Sequence, residues 1–325
     1  MSLGKLKIKH WREKSYLRSK QELMSKPYSS TKVSSLIASW AFKIIILVFF
    51  ALVIIFPFYF MIEMSFVEKQ LSTDSRTTIL FPRAIVEGGK SFFPENYRDA
   101  FESGFLEALV FTAAITTFSV LIRLGFSITL GYALSLRNWR GKNSFFIFFI
   151  SLMILPEVAL LSGQYRLVVA LGWTIGWGQF FALVMPFAAS IFFGYMYKNA
   201  FEAIPNSVKE SSMLDGANGI KYFFKIAMPM VSATTWTVCI LTAFASWNSY
   251  TWPALIFKTL GSPWKPLNLW VFTTGKSQES EIQIVYTSIR MAATVIAILP
   301  MFIIYFILKK RIMNAISRQG NATKG

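Results

Sequence analysis

The sequence predicts an all-α integral membrane protein with six transmembrane helices. Hydrophobic residues make up 54% of the 325 residues and charged residues only 15%, a balance typical of membrane proteins. The apolar residues are gathered in long runs that short polar stretches separate. Since a helix needs roughly 20 apolar residues to cross the ~30 Å hydrocarbon core, these runs predict membrane spans rather than the core of a soluble domain.

Six apolar runs have the length of a span. The first begins too far from the N terminus, and is too long, for a cleaved signal peptide, so we predict an uncleaved span. Several prolines fall inside the runs, which a lipid-embedded bundle tolerates where neighbouring groups satisfy the freed backbone. The predicted spans are Trp40–Met61, Phe105–Leu136, Phe145–Leu171, Gln179–Tyr197, Ser232–Phe257 and Ser288–Leu308.

The distribution of basic residues predicts that both termini are cytoplasmic. The formal net charge is +17, which in a soluble protein would suggest nucleic acid as a partner. Here the basic residues flank the apolar runs, so membrane topology and anionic lipid headgroups explain them and no nucleic acid is expected. We predict a basic tail at 1–38, a six-helix membrane domain at 39–309 and a C-terminal tail at 310–325. Loop 63–104 is external and loop 201–229 cytoplasmic.

The sequence excludes several kinds of chemistry. Cys239 is the only cysteine and His10 the only histidine, so neither an internal disulfide nor a transition-metal site is expected. There are no paired carboxylates, no histidine cluster and no nucleophile–base set at either membrane face. An integral-membrane enzyme is therefore disfavoured.

The cytoplasmic loop between the fourth and fifth spans predicts two short helices broken by a turn. Pro205 suits the first turn of a helix, and Asp215-Gly216 is a turn pair in which Asp215 could cap the second helix. Pro229 marks the end of that helix. An amphipathic segment here either lies on lipid headgroups or docks a soluble partner, and amphipathicity alone supports both interpretations equally.

The same loop contains a spaced pattern of residues. A Glu is followed after six positions by Gly, and an Ile and a Pro follow later, at Glu210, Ser211, Ser212, Gly216, Ile226, Met228 and Pro229. This pattern resembles the cytoplasmic signature of binding-protein-dependent ABC importer permeases, which reads Glu-Ala-Ala, three residues, Gly, nine residues, Ile, one residue, Leu-Pro. Ser-Ser stands here for Ala-Ala and Met for Leu.

The resemblance extends over most of the chain and is closest to the carbohydrate-uptake branch. Within that branch the chain is similar to the smaller six-span permease of maltose-type importers, and alginate-importer permeases are the suspected nearest type. The motifs concerned are Asn96-Tyr97, Gly131-Tyr132-Ala133-Leu134-Ser135, Arg140-Gly141-Lys142, Trp247-Asn248-Ser249-Tyr250-Thr251-Trp252-Pro253 and Lys324-Gly325. The resemblance implies the type I permease fold of ABC importers in a bacterial inner membrane.

The resemblance also implies partners and a docking surface. A second homologous permease, two cytoplasmic ABC ATPase subunits and a periplasmic solute-binding protein would complete the importer. The ATPases would bind ATP and Mg²⁺, and this chain would hold no cofactor and catalyse nothing itself. The implied ATPase contacts are polar at Glu210 and Asp215 and apolar at Met213, Leu214 and Ile220, with Gly216 supplying a backbone bend that a Cβ would hinder.

Ionisable and aromatic residues within the spans suggest a solute pathway. Charged residues in a membrane are functional by default, although snorkelling or internal pairing, for example of Glu157 with a neighbouring arginine, explains many of them. Arginine pairs well with carboxylates, which hints at an anionic sugar such as a uronate oligosaccharide. Interfacial anchoring explains the aromatic residues equally well. The candidate pathway residues are Glu157, Arg166, Trp247, Asn248, Tyr250, Trp252 and Arg290.

An ion-coupled secondary carrier is the alternative function. Such a carrier requires intramembrane carboxylates that relay the coupling ion, and among the acidic residues of the predicted spans only Glu157 is central. A secondary carrier also has no need for the pattern at 210–229. The two classes differ in whether the chain recruits a soluble ATPase.

Overall fold

The computed structural model describes residues 10–11, 13–18, 20, 33–73, 90–136, 139–257, 264–278 and 283–322. Within these ranges, the side chains of 33–36, 157–158, 283, 308 and 310–322 lie outside the description. The elements are α1 (Val33–Ser65), α2 (Glu95–Glu102), α3 (Phe105–Ser135), α4 (Lys142–Leu152), α5 (Glu157–Ala170), α6 (Trp177–Val184), α7 (Ile191–Glu202), α8 (Asn206–Leu214), α9 (Ile220–Met230), α10 (Ser232–Trp247), α11 (Thr251–Ile256), α12 (Leu267–Thr273), β1 (Lys276–Gln278), β2 (Gln283–Val285) and α13 (Thr287–Ala322).

The chain divides into two compact units, residues 1–59 and 60–325. The first unit contains the helical residues of the basic tail and most of α1. Large apolar side chains along α1 from Ile37 to Ile62 are exposed, as expected of a helix that faces lipid. The second unit contains the remaining helices, described below.

Long apolar helices confirm the membrane-spanning character of the chain. Among the residues described, three helical stretches are long and apolar enough to cross a bilayer: Ile37–Ser65, Phe105–Ser135 and Thr287–Ile307. Two bent helix pairs would bring the number to five if each counts as one span. They are Trp177–Phe187 with Ile191–Glu202, bent by 49°, and Ile220–Met230 with Ser232–Trp247, bent by 71°.

The predicted third span, Phe145–Leu171, is not one continuous helix. The structure divides this region into α4 and α5, with a turn at Met153–Leu155 between them. Pro156 explains the break, because a proline has no N–H for a helical hydrogen bond and disfavours a helical conformation in the residue before it. The predicted fifth span is likewise interrupted, since α10 ends at Trp247 and α11 begins at Thr251.

Helical structure extends into the segment predicted as the C-terminal tail, and the predicted boundaries stay predictions. Helix α13 continues to Ala322, past the boundary at 309 where we expected a tail. Helix α2 lies in the loop predicted as external, 63–104, and α12 and the β1–β2 hairpin lie between α11 and α13. Asn96 fixes α2 to the end of α1, because its Nδ2 donates to the carbonyls of Ser65 at 2.9 Å and Val67 at 2.8 Å.

Helix α3 is the centre of the second unit and packs closely on α7. A Cβ added to Gly131 would lie 2.4 Å from Cβ of Tyr197 and 2.7 Å from the carbonyl oxygen of Gly194. Tyr197 is fully buried, and its hydroxyl donates to Thr235 on α10 at 3.0 Å. Small residues therefore allow the two backbones to approach, which is the usual basis of helix association in membranes.

Arg123, near the middle of α3, binds the break between α6 and α7. Its Nε donates to the carbonyl of Phe187 and its Nη2 to that of Pro186 at 3.3 Å. The guanidinium also lies 5.5 Å and 5.4 Å from the ring centres of Phe187 and Phe193. A helix that ends inside a bilayer leaves carbonyls without partners, and this arginine supplies donors to two of them.

We expect Gly131→Ala to destabilise the α3–α7 pair. The added methyl group collides with backbone atoms that cannot move independently, and overpacking of this kind costs about 1–3 kcal/mol. The measurement is the thermal unfolding midpoint of the purified chain in one detergent. Gly125→Ala on the same helix is the matched control, because no atom lies within 4 Å of the added Cβ. Equal midpoints for the two variants would contradict this packing.

We expect Arg123→Met to lower the same midpoint. The variant keeps an apolar side chain of similar length but leaves two partly buried carbonyls without this donor, at a cost of roughly 1–3 kcal/mol. Arg166→Met serves as the control, since Arg166 is exposed on α5. If both arginine variants melted at the same temperature, Arg123 would have no role in holding the break.

Candidate functional site

Helix α8 ends in a turn that depends on Gly216. Gly216 has a φ of +71°, a conformation that L-residues other than glycine rarely adopt. The N–H of Ala217 donates to the carbonyl of Ser212 at 2.8 Å, and the N–H of Gly216 to that of Met213 at 3.1 Å. These two bonds form a Schellman motif, in which a left-handed residue after the helix satisfies its last carbonyls. The predicted turn is present, and Gly216 is the residue that terminates α8.

The predicted cap of the second helix is wrong. Asp215 occupies the C-terminal cap position of α8, and Gly219, with a φ of +54°, precedes the first residue of α9. The turn is longer than the Asp215-Gly216 pair alone predicts, because it extends to Gly219, a second glycine with a positive φ. Asp215 therefore does not cap the N terminus of α9, and its side chain is exposed.

The two helices, residues 206–230 and here named the helix pair, present apolar side chains to the outside. Leu214 is 89% exposed, Ile220 78% and Met213 63%. Glu210 and Asp215 are exposed beside them, and no ion pair among the residues described involves either acid. Apolar side chains exposed together next to unpaired acids are typical of a surface that another molecule covers.

The opposite side of the helix pair is anchored on the helical bundle. Ala227 is fully buried, and Ser212 and Ala217 are buried on the α8 side. The ring of Phe223, in a π-helical turn of α9, lies 4.6 Å from the ring of Tyr132 on α3 and 6.3 Å from that of Phe201 on α7. A displacement of the helix pair therefore has to move or break its contacts with the two central helices.

A second candidate site is a cavity of about 460 Å³ between α10, α12 and α13. Its wall contains both polar and apolar side chains. The volume falls within the ~300–1,000 Å³ typical of small-molecule sites. The residues that line it include Trp247, Asn248, Asn268, Phe272, Arg290 and Thr294.

Three of the predicted pathway residues, Trp247, Asn248 and Arg290, line this cavity together. Tyr250 lies beside it, because its ring contacts that of the lining residue Phe272 at a centroid distance of 4.4 Å, with the two planes tilted by 38°. The sequence analysis missed Asn268 and Phe272. An isolated amide in the apolar stretch Leu267–Thr273 was the only signal that could have identified Asn268.

The other predicted pathway residues do not meet there. Trp252 is buried, and its Nε1 donates to the carbonyl of Ala182 at 2.8 Å, so that it joins α11 to α6. Arg166 is exposed on α5 and is not among the residues of the cavity wall. The side chain of Glu157 lies outside the described residues.

Two lysines, Lys265 before α12 and Lys276 in β1, lie close enough to each other to interact electrostatically. The β1–β2 hairpin packs against the start of α13, since the N–H of Tyr286 donates to the carbonyl of Gly275 at 2.7 Å. Burial lowers the pKa of Lys265, and the nearby charge of Lys276 lowers it further. None of Lys265, Lys276 and Arg290 forms an ion pair with a described carboxylate.

Comparisons with known proteins agree with the signature in the helix pair. Residues 124–318, more than half of the chain, match the family described as "Binding-protein-dependent transport system inner membrane component". A "Probable ABC transporter permease protein MG189" of Mycoplasma genitalium is 44% identical over 301 residues, covering 90% of this chain and 91% of that protein. A "Probable starch degradation products transport system permease protein AmyC" of Thermoanaerobacterium thermosulfurigenes is 29% identical over 269 residues, covering 80% and 89%.

A solved structure shares the fold. In the crystal structure of a bacterial ABC transporter involved in the import of the acidic polysaccharide alginate, one chain superposes with a TM-score of 0.69 at 22% sequence identity. The match covers 88% of this chain and 99% of that chain. The chain described here therefore belongs to the family of inner-membrane components of binding-protein-dependent transport systems and has the helical membrane fold of an ABC transporter permease.

Proposed function

We propose that this chain is one of two permease subunits of an ATP-driven, binding-protein-dependent importer and that its helix pair docks a separate ATPase. The observation that carries the proposal is the exposed cluster of Met213, Leu214 and Ile220 beside the unpaired Glu210 and Asp215. This cluster coincides with the signature residues that resemble the family's docking segment. A helix pair resting on headgroups would explain the apolar side chains and the lysines at 209, 221 and 225, but it gives no role to Glu210 and Asp215.

The proposed assembly follows from the division of labour in such importers. A second homologous permease forms the other half of the translocation pathway, and a solute-binding protein delivers solute at the outer face. Two ATPase subunits bind ATP and Mg²⁺ and hydrolyse the nucleotide, and this chain transmits the movement without catalysing a reaction. Both termini and the helix pair lie on the cytoplasmic side, in agreement with the excess of basic residues there.

The proposed coupling uses the anchoring of the helix pair. When the ATPase subunits close on ATP, they displace Leu214 and Ile220 together, because one short turn connects their helices. Phe223 carries that displacement to Tyr132 on α3 and Phe201 on α7. The pathway between the permeases then opens outward, and hydrolysis resets it.

The proposed solute is an oligosaccharide. The names of the relatives support this class, since AmyC is described as a permease for starch degradation products and MelC of Bacillus subtilis as a melibiose, raffinose and stachyose import permease. MelC is 28% identical to this chain over 274 residues. A uronate sugar such as alginate is the specific candidate that the intramembrane arginines favour.

The test is co-purification of the tagged chain from its native membrane. We expect an ATP-hydrolysing subunit and a second permease to accompany the wild type. Leu214→Asp places a charge in the docking surface, and Gly216→Ala adds backbone strain of roughly 1–2 kcal/mol at a left-handed residue, so both should reduce ATPase recovery about fivefold or more. ATPase activity in the purified sample is the measurement.

The matched control for the glycine variant is Gly172→Ala. Gly172 also has a positive φ, +70°, and open space around its Cβ, but it lies in the turn between α5 and α6. ATPase recovery should stay at the wild-type level in this variant. A chain that purifies alone and moves solute down an ion gradient would instead be an ion-coupled secondary carrier, and the importer proposal would be wrong.

A further inference from the structure

We propose that the cavity between α10, α12 and α13 is a solute subsite in which Arg290 binds an anionic group, a carboxylate or a phosphate, of the transported molecule. This inference rests on the proposed function, since it names the solute class for the same transporter. The ligand chemistry is defined by the cavity wall: one guanidinium, two amide oxygens that can accept hydrogen bonds, and aromatic rings.

Arg290 has unused hydrogen-bonding capacity. Its Nη2 donates to the carbonyl of Phe272 at 3.2 Å, but its Nε is buried and has no hydrogen-bond partner. No described carboxylate pairs with the guanidinium. A buried donor without a partner is costly, and a planar guanidinium is suited to bind carboxylate or phosphate through two parallel bonds. An anionic ligand would relieve this cost.

Two asparagines in the wall are oriented by the backbone. Nδ2 of Asn268 donates to the carbonyl of Trp247 at 2.9 Å, and Nδ2 of Asn248 donates to the carbonyl of Phe244 at 3.0 Å. Because the amide nitrogens are engaged, the Oδ1 atoms are left to accept hydrogen bonds. Hydroxyl groups of a sugar are the donors that match them.

Aromatic rings complete the subsite. Trp247 and Phe272 line the cavity, and the ring of Tyr250 packs against the ring of Phe272. Flat apolar rings next to hydrogen-bonding groups suit the faces and hydroxyls of a sugar. A volume of about 460 Å³ accommodates a small saccharide that carries one acidic group.

The polar groups distinguish a solute from a lipid headgroup. A phospholipid would place its phosphate on Arg290 and its chains along the apolar part of the wall, which includes Ala297, Ile298 and Met301. That arrangement gives no use to the two oriented amide oxygens. We therefore assign the subsite to a solute, and lipid binding is the outcome that the experiment must separate.

The experiment measures binding to the full-length chain in phosphatidylcholine nanodiscs by isothermal titration calorimetry. The probes are digalacturonate, glucose 6-phosphate and neutral maltose. We expect at least one acidic probe to bind roughly tenfold or more tightly than maltose, since a hydrogen-bonded charge pair contributes about that factor. Arg290→Met should abolish this preference. Arg290→Lys should keep only part of it, because an ammonium group cannot make two parallel bonds.

Arg140→Met is the matched control, because Arg140 is exposed and is not among the residues of the cavity wall, and this variant should bind all three probes like the wild type. Tighter binding of digalacturonate alone identifies a carboxylate ligand, and tighter binding of glucose 6-phosphate alone identifies a phosphate. Equal affinities for acidic and neutral probes, no binding of any probe, or an unchanged preference in Arg290→Met would overturn the inference. Selective binding of phosphatidylglycerol vesicles that displaces the probes would overturn it in favour of a lipid.

Failure of the subsite and failure of the importer proposal are distinguishable. The calorimetry needs no ATPase, and Arg290 lies outside the helix pair. If Arg290→Met retains ATPase recovery but loses the acidic preference, both proposals stand. If no acidic probe is preferred while the ATPase co-purifies, the subsite proposal alone fails. If an acidic probe is preferred but no ATPase co-purifies, the importer proposal alone fails.

Discussion

In the hydrocarbon of a bilayer no water is present to satisfy the backbone, so every helix that ends there needs protein donors for its last carbonyls. Several side chains of this fold meet that requirement. Arg123 donates to Pro186 and Phe187 at the break after α6. Asn268 donates to the carbonyl of Trp247 at the end of α10, and Trp252 to that of Ala182 within α6. The broken helices are thus stable because other helices supply donors.

The same breaks create the two candidate sites. Because α10 stops at Trp247 rather than continuing through 257, Asn248 and Tyr250 leave the helix axis and stand beside α12 and α13. A continuous span would have left no room for a cavity there. At the other end of α10, the chain bends by 71° between Ile220–Met230 and α10, so that the helix pair does not continue the α10 axis. Both candidate sites therefore lie next to interruptions of the helices.

The sequence predicts the long apolar helices well, because hydropathy depends on composition alone. It predicts the turn at Gly216 for a local reason, since a glycine after a short amphipathic segment is the usual terminator of a helix. It fails at Pro156, where the apolar run continues through a broken helix. Proline within a span is compatible with a kink or a complete break, and the outcome depends on whether neighbouring helices supply donors.

Part of the cavity between α10, α12 and α13 could also be predicted from local features of the sequence. Arg290 is a candidate because a charged residue within a span is unusual. Trp247 and Asn248 are candidates because they belong to the motif at 247–253. The participation of Phe272 and Asn268 depends on how α12 folds back against α10 and α13, which is a long-range contact. Conversely, Trp252 shares the motif but points into the core, because its indole N–H satisfies a carbonyl of α6. Proximity in sequence does not establish a shared site.

The close packing of α3 on α7 explains how a surface loop can act on the bundle. Gly131 and Gly194 bring the two backbones so near that the helices cannot slide past each other without collision. Phe223 contacts both helices through Tyr132 and Phe201, so the helix pair rests on two closely packed helices at once. Arg123 joins α3 in turn to the break after α6. In the proposed coupling, a displacement of Leu214 would therefore reach α3 and α7 through contacts that are already formed, and the short turn at Gly216 would hold Leu214 and Ile220 in a fixed arrangement.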